Sequence, residues 1–197
     1  MSRLRIETAY LPPLAYFRWW RRVDEVVIEA HENYQKGGYR NRALILGANG
    51  PLRLTVPLQR GKHERLPIRE VRIDYKLPWQ AQHWQSIRSA YGRAPYFEHY
   101  ADRLQPHFTR RPTFLFDFNL SLIDSLLPLV RDLAPYRLSE AYALDADEAD
   151  GRGALRPNRP LPDFLEPLPY PQVFTDRFGF TPRLSVLDAL FCGAGVN

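Results

Sequence analysis

Polar and apolar residues change their period several times along this chain. Leu4, Ile6, Thr8 and Tyr10 alternate with Arg3, Arg5, Glu7 and Ala9, and a period of two predicts a strand. Pro12-Pro13 closes it. Leu14, Phe17, Trp20 and Arg21 then recur at helical spacing over residues 13–22, with Pro13 suited to a first helical turn. Asp24-Glu25 lead into Val26-Val27-Ile28, a short buried strand. Strand, helix and strand within about 30 residues match a βαβ unit and predict parallel strands. Ala43-Leu44-Ile45-Leu46, the turn Gly47-Ala48-Asn49-Gly50, and alternating Leu52, Leu54, Val56 and Leu58 predict a hairpin. Pro57 then belongs at an edge or strand end. Residues 60–67 read as a charged loop, and Val71, Ile73 and Tyr75 as a further strand.

After Pro78 the period becomes helical. Trp79, His83, Ile87 and Tyr91 share one face, and Gly92 is placed to end that helix. A second helix is expected over 95–108. A third starts at Asp117 or Asn119, carries Leu122, Leu126, Leu129 and Leu133 in one stripe, and is kinked by Pro128. Residues 145–171 are acidic and then proline-rich (Pro157, Pro160, Pro162, Pro167, Pro169, Pro171), which predicts a loop or extended arm. An amphipathic pattern returns over 172–191. The expectation is one mixed α/β (α+β) domain over 1–197. It comprises a sheet half (1–75), a helical half (79–135), the arm (145–171) and a returning segment (172–191).

Composition narrows the class. Of 197 residues, 45% are hydrophobic and 25% charged, which excludes a mostly disordered chain, a coiled coil and a collagen-like fibre. Proline, at 18 residues, is about twice as frequent as usual. It works partly as punctuation at element ends and partly as the arm. The net charge of +5 comes mostly from arginine, which suits planar, bidentate contacts to phosphate or carboxylate. Cys192 is the single cysteine, so no intramolecular disulfide can form. No apolar run approaches the ~20 residues of a membrane span, and Met1–Arg5 lacks the apolar core of a signal peptide. The expected setting is reducing and cytoplasmic.

Several segments, taken in order, resemble a known family. They are Tyr10-Leu11-Pro12-Pro13 with Tyr16-Phe17; Tyr39-Arg40-Asn41-Arg42; and Asn49-Gly50-Pro51 with Leu54-Thr55-Val56-Pro57. Trp79, His83-Trp84, Ser86-Ile87, Ala90-Tyr91, Pro95-Tyr96-Phe97 and Tyr100 follow, then Asp117-Phe118-Asn119. Tyr170, Gln172, Phe174, Phe178 and Leu184-Ser185-Val186-Leu187-Asp188 complete the set. Together they resemble the WbqC-like family of bacterial proteins over nearly the whole chain. Thr8-Ala9 stand where many members carry Gln-Pro. Some members occur in O-antigen (surface-polysaccharide) gene clusters. The resemblance therefore implies a transferase step on an activated sugar, with a small group such as glycine among the candidates for transfer. A non-catalytic binding or scaffold protein of envelope assembly is the rival expectation.

The densest polar cluster follows the second predicted strand: Glu29, His31, Lys36, Tyr39, Arg40, Asn41 and Arg42, around Gly37-Gly38. Ligands of open α/β sheets bind beyond the carboxyl ends of strands. Arg40 and Arg42, with Lys36 and Tyr39, are candidates to hold an anion; His31 is a candidate acid/base, because histidine titrates near neutral pH. Asn41 would orient groups. A solvated surface loop is the bland alternative. His83 is a second catalytic candidate, although a histidine beside Trp79 and Ile87 equally suits a hydrogen-bonded place in the core. Tyr10, at a strand-to-helix turn, is a candidate substrate contact, since helix amino ends can hold anions. The five histidines have no metal-ligand spacing, and no cofactor is expected. The expected partner is an anionic small molecule. Nucleic acid is disfavoured for want of a basic stripe, and a homo-oligomer or protein partner stays open.

Overall fold

In the computed structural model, residues 2–59, 66–166 and 168–195 are described; most of the expected charged loop (60–65) and Pro167 lie outside them. β1 (Arg3–Glu7) and β2 (Glu25–Glu29) pair in parallel around α1 (Leu14–Trp20). Their register sets Arg3 against Glu25, Arg5 against Val27 and Glu7 against Glu29. β5 (Tyr136–Leu138) joins β2 and β6 (Glu148–Asp150) joins β1, again in parallel, for the order β5-β2-β1-β6. β2 and β5 are laid to one side of β1 and β6 to the other. Such a reversal opens a crevice at the carboxyl ends of the strands.

β3 (Arg42–Gly47) and β4 (Gly50–Thr55) form the expected hairpin, with Ala48 and Asn49 in the turn. Gly50 has φ +107°, a conformation that favours glycine. The helical half holds α2 (Trp79–Tyr91), α3 (Phe97–Leu104) and α4 (Leu115–Leu126). α5 (Thr175–Phe178) and α6 (Val186–Phe191) follow in the returning segment.

Four expectations change. α4 starts at Leu115, before the Asp117 or Asn119 expected to cap it. Pro128 ends α4 instead of kinking it: the chain passes into a 3₁₀ turn over Leu127–Leu129, because proline has no N–H to continue the ladder. Val71–Tyr75 forms only isolated bridges, Leu58 with Ile73 and Arg72 with Phe114. Its backbone bonds are split between residues 57–59 on one side and 113–115 on the other. Residues 148–150, expected in the arm, are one of the sheet's two edge strands, and three residues are too few to show a period.

Alternation gives the sheet two unlike faces. Leu4, Ile6, Val26 and Ile28 enter one hydrophobic cluster with Trp20, Phe118 and Phe191. Arg5, Glu7, Glu29 and Glu148 project from the opposite face, yet they are buried too, Arg5 to 2% exposure. Arg5 Nη2 meets Glu148 at 2.6 Å, and Nη1 lies 3.4 Å from Glu29 and donates to the Ala141 carbonyl at 2.6 Å. The segment between β5 and β6 thus passes over this face. Removing one partner of a buried ion pair leaves an uncompensated charge. Arg5→Ala should therefore cost about 3–5 kcal/mol in chemical denaturation; a loss below about 1 kcal/mol would mean that water reaches the network.

Candidate functional site

Past Glu29 the chain bends at His31 and Glu32, and from there Glu32 and Tyr34 are buried while His31, Asn33 and Gln35 are exposed. The His31 backbone N–H donates to Glu29 Oε1 at 2.7 Å, which anchors the start of this row. His31, Asn33, Tyr34 and Gln35 line an open cleft of about 360 Å³ with Tyr142, which arrives from the segment after β5. The Arg152 guanidinium lies 4.2 Å from the centroid of the Tyr142 ring. It also donates to Glu29 Oε2 at 2.9 Å and to both oxygens of Asp150. Arg156 Nη2 donates to Gln35 Oε1 at 3.2 Å. The cleft therefore sits where the strands end. It offers an imidazole, two amides and two aromatic rings, with guanidinium groups behind its walls.

The inward residues are committed to the protein. Arg40 is 1% exposed and donates Nε and Nη2 to the two Glu32 oxygens at 2.7 and 2.5 Å, with Glu7 at 3.6 Å. Burial pushes the Glu32 carboxyl up, and the Arg40 fork offsets only part of that. Glu7 also accepts the Gly153 N–H at 2.8 Å. Asn41 accepts from the Tyr34 hydroxyl and donates to the Val56 carbonyl, both at 3.0 Å. The Tyr39 phenol is buried, and that burial pushes it up to about 12. Lys36 is exposed, and Arg42 is half-buried with an Nε that has no hydrogen-bond partner among the described residues.

Tyr10 and His83 meet in the core. The Tyr10 hydroxyl and His83 Nδ1 share a hydrogen bond of 2.8 Å, and the imidazole is also hydrogen-bonded to the Thr55 backbone. Trp79 packs 5.1 Å from the imidazole centroid, and Phe118 stacks on Tyr10 at 5.7 Å. Burial lowers the His83 pKa to about 4, so the ring is neutral at pH 7. The turn after Tyr10 is closed by protein. The Leu14 N–H donates to Leu184 at 3.0 Å and the Val186 N–H to Pro12 at 2.8 Å, over a Leu11 held at φ +42°.

Among the expected site residues, then, the fold brings Tyr10 to His83 and sets Arg40 between Glu32 and Glu7. It leaves His31 facing outward beside Asn33 and Gln35. Glu7, Glu32, Tyr142 and Arg152 were not anticipated as site residues. Period-two spacing could have flagged Arg5 and Glu7 as sharing a face, whereas nothing local marks Tyr142 or Arg152. Among the described residues, no group of three or more His, Cys, Asp or Glu side chains could hold a metal ion, and no helix is long and apolar enough to cross a membrane. Residues 8–149 match the model of the WbqC-like protein family. No curated protein and no solved structure matches the chain.

The depressed His83 pKa has a defined consequence for stability. The unfolded chain takes up a proton near pH 6.5, while the folded ring resists until about 4. Folding stability contributed by this group is complete above the unfolded value and declines as pH falls from about 6.5 to about 4. The decline is of order 3 kcal/mol. Urea unfolding across that window should show a steeper loss for the parent than for His83→Gln. Parallel curves would show that His83 is hydrated in the native state.

Proposed function

The chain belongs to the WbqC-like protein family, and from that premise we propose that it is a transferase acting on an anionic, activated substrate in surface-polysaccharide synthesis. The observation that carries this reading is the cleft at the carboxyl ends of the parallel strands, with His31 on its wall beside Asn33, Gln35 and Tyr142. Amides recognise hydroxyl groups through paired donors and acceptors, and an aromatic ring packs against the apolar face of a sugar. His31 takes the proton from the attacking hydroxyl or amine. The new bond forms to the activated carbon as the anionic group leaves with its bonding electrons. Lys36 and Arg42 carry positive charge on the chain that leads out of the cleft and attract that anion. Glu29 positions His31 through the backbone, and Arg152 holds Tyr142. Arg40 and Asn41 act behind the wall through Glu32 and Tyr34, while Tyr10, Tyr39 and His83 belong to the core.

His31→Ala should lower transfer by about 10²–10⁴-fold, the usual contribution of a general acid/base. Its melting temperature should stay close to the parent's, because the ring is exposed. The measurement is transfer from nucleotide-sugar and acyl donors to a sugar acceptor in a reconstituted assay. An unchanged rate would remove His31 from the mechanism. Absence of a thermal shift with every donor would favour the scaffold role, for which Phe164 and Leu168, exposed on the proline-rich segment, offer an apolar contact.

A further inference from the structure

A second concavity lies at the opposite pole of the sheet. α1 starts beside the carboxyl end of β1 and returns to the amino end of β2. α6 starts beside the same turn, where Val186 bonds Pro12, and packs against α1. The ends of α1 and α6, and the residues just before β5, therefore gather at the amino ends of the strands, away from His31. They enclose a cavity of about 450 Å³ walled by Arg21, Arg131, Tyr96 and Tyr100, with Leu190 and Gly193 at its floor. That volume falls within the range of small-molecule sites, which combine apolar surface with a few convergent polar groups.

Basic residues at helix carboxyl ends commonly serve to cap carbonyl groups. That explanation is not needed here. The Gly193 N–H donates to Leu190 at 3.2 Å, the Ala194 N–H to Ala189 at 2.8 Å and the Tyr96 N–H to Phe191 at 3.0 Å, so backbone groups already cap α6. The Val130 N–H likewise bonds the carbonyls of Leu126 and Leu127 below α4. Gly193 holds φ +75°, and a Cβ there would sit 2.3 Å from the Tyr96 ring. Only glycine lets the backbone lie against that ring, which fixes Tyr96 as a wall. Arg21 is drawn across the mouth by Asp132 at 3.6 Å. Arg131 makes no hydrogen bond or ion pair among the described residues, and its fork is open to a ligand.

We propose that this cavity is a nucleotide site, with the planar base against Tyr96 and Tyr100 and the phosphate on Arg131 and Arg21. A ring face and a guanidinium fork within one cavity belong to a ligand that carries both a flat π-system and an oxyanion. The site is separate from the His31 cleft and does not depend on the transfer reaction assigned there.

Isothermal titration calorimetry on the full chain with ADP, adenosine and inorganic phosphate tests this. ADP should bind saturably, and adenosine and phosphate should each bind about tenfold more weakly or worse. Arg131→Gln and Tyr100→Leu should each weaken ADP about tenfold while leaving the circular dichroism spectrum unchanged. His31→Ala should leave the ADP affinity as it is. The assignment is overturned by no ADP heat into the low millimolar range. It is overturned equally by phosphate binding as tightly as ADP, or by an ADP affinity that ignores Arg131→Gln. Loss of ADP binding in His31→Ala would move the nucleotide to the cleft and overturn it as well. Failure of the transfer assay alone leaves these outcomes intact.

Discussion

Arg5 has to be neutralised inside the protein, and much of the architecture follows from that. A parallel sheet is covered on both faces, and here the second face carries charge where such sheets usually carry apolar side chains. Once Arg5 is out of water, its donors need acceptors. Glu148 and Glu29 supply charge, and the Ala141 carbonyl supplies a further acceptor. Glu148 belongs to β6, and Ala141 to the segment that crosses the sheet, so these bonds bring β6 and the crossing segment onto β1 and β2. Such pairs add modest net stability over an apolar core of the same shape, but breaking one is expensive.

The same requirement sorts the residues at the carboxyl ends of the strands. Glu7, Glu29 and Glu32 turn inward and take up Arg40 and Arg152. What remains outward is the row of His31, Asn33 and Gln35, with Tyr142 opposite. Exposed and buried side chains thus alternate from His31 to Gln35, after a bend that turns His31 away from the side taken by Glu29. The His31 cleft and the Arg131 cavity fall at opposite poles of the sheet and draw on different elements.

Period and punctuation made much of the fold legible. The alternation at Leu4–Tyr10, the apolar run Val26–Ile28 and the Asn49-Gly50 turn each carried enough consecutive residues for local physics to decide. β5 and β6 have three residues each and were not legible, because their conformation is imposed by neighbours and not by their own pattern. Val71–Tyr75 shows the reverse. Its alternation suits a strand, but its backbone bonds are divided between two segments. In the candidate site His31 stood out as a titratable residue after a strand. Arg40 stood out as a candidate to hold an anion; its pairing with Glu32 was not legible, because it is made only when the chain closes around both.

Sequence alone determined the βαβ opening, the hairpin, the first helix after Pro78, and the resemblance that led to the family. These depend on residues within a few turns or strand steps of one another. Tertiary structure decided which charges are buried, which strands flank β1, and which polar residues face solvent. Those outcomes depend on contacts across long separations, such as Arg5 with Glu148 and Glu29 with Arg152. A side chain's sequence position says what it can bond, while the cost of burying a charge unpaired selects the partner only once the chain has closed around it.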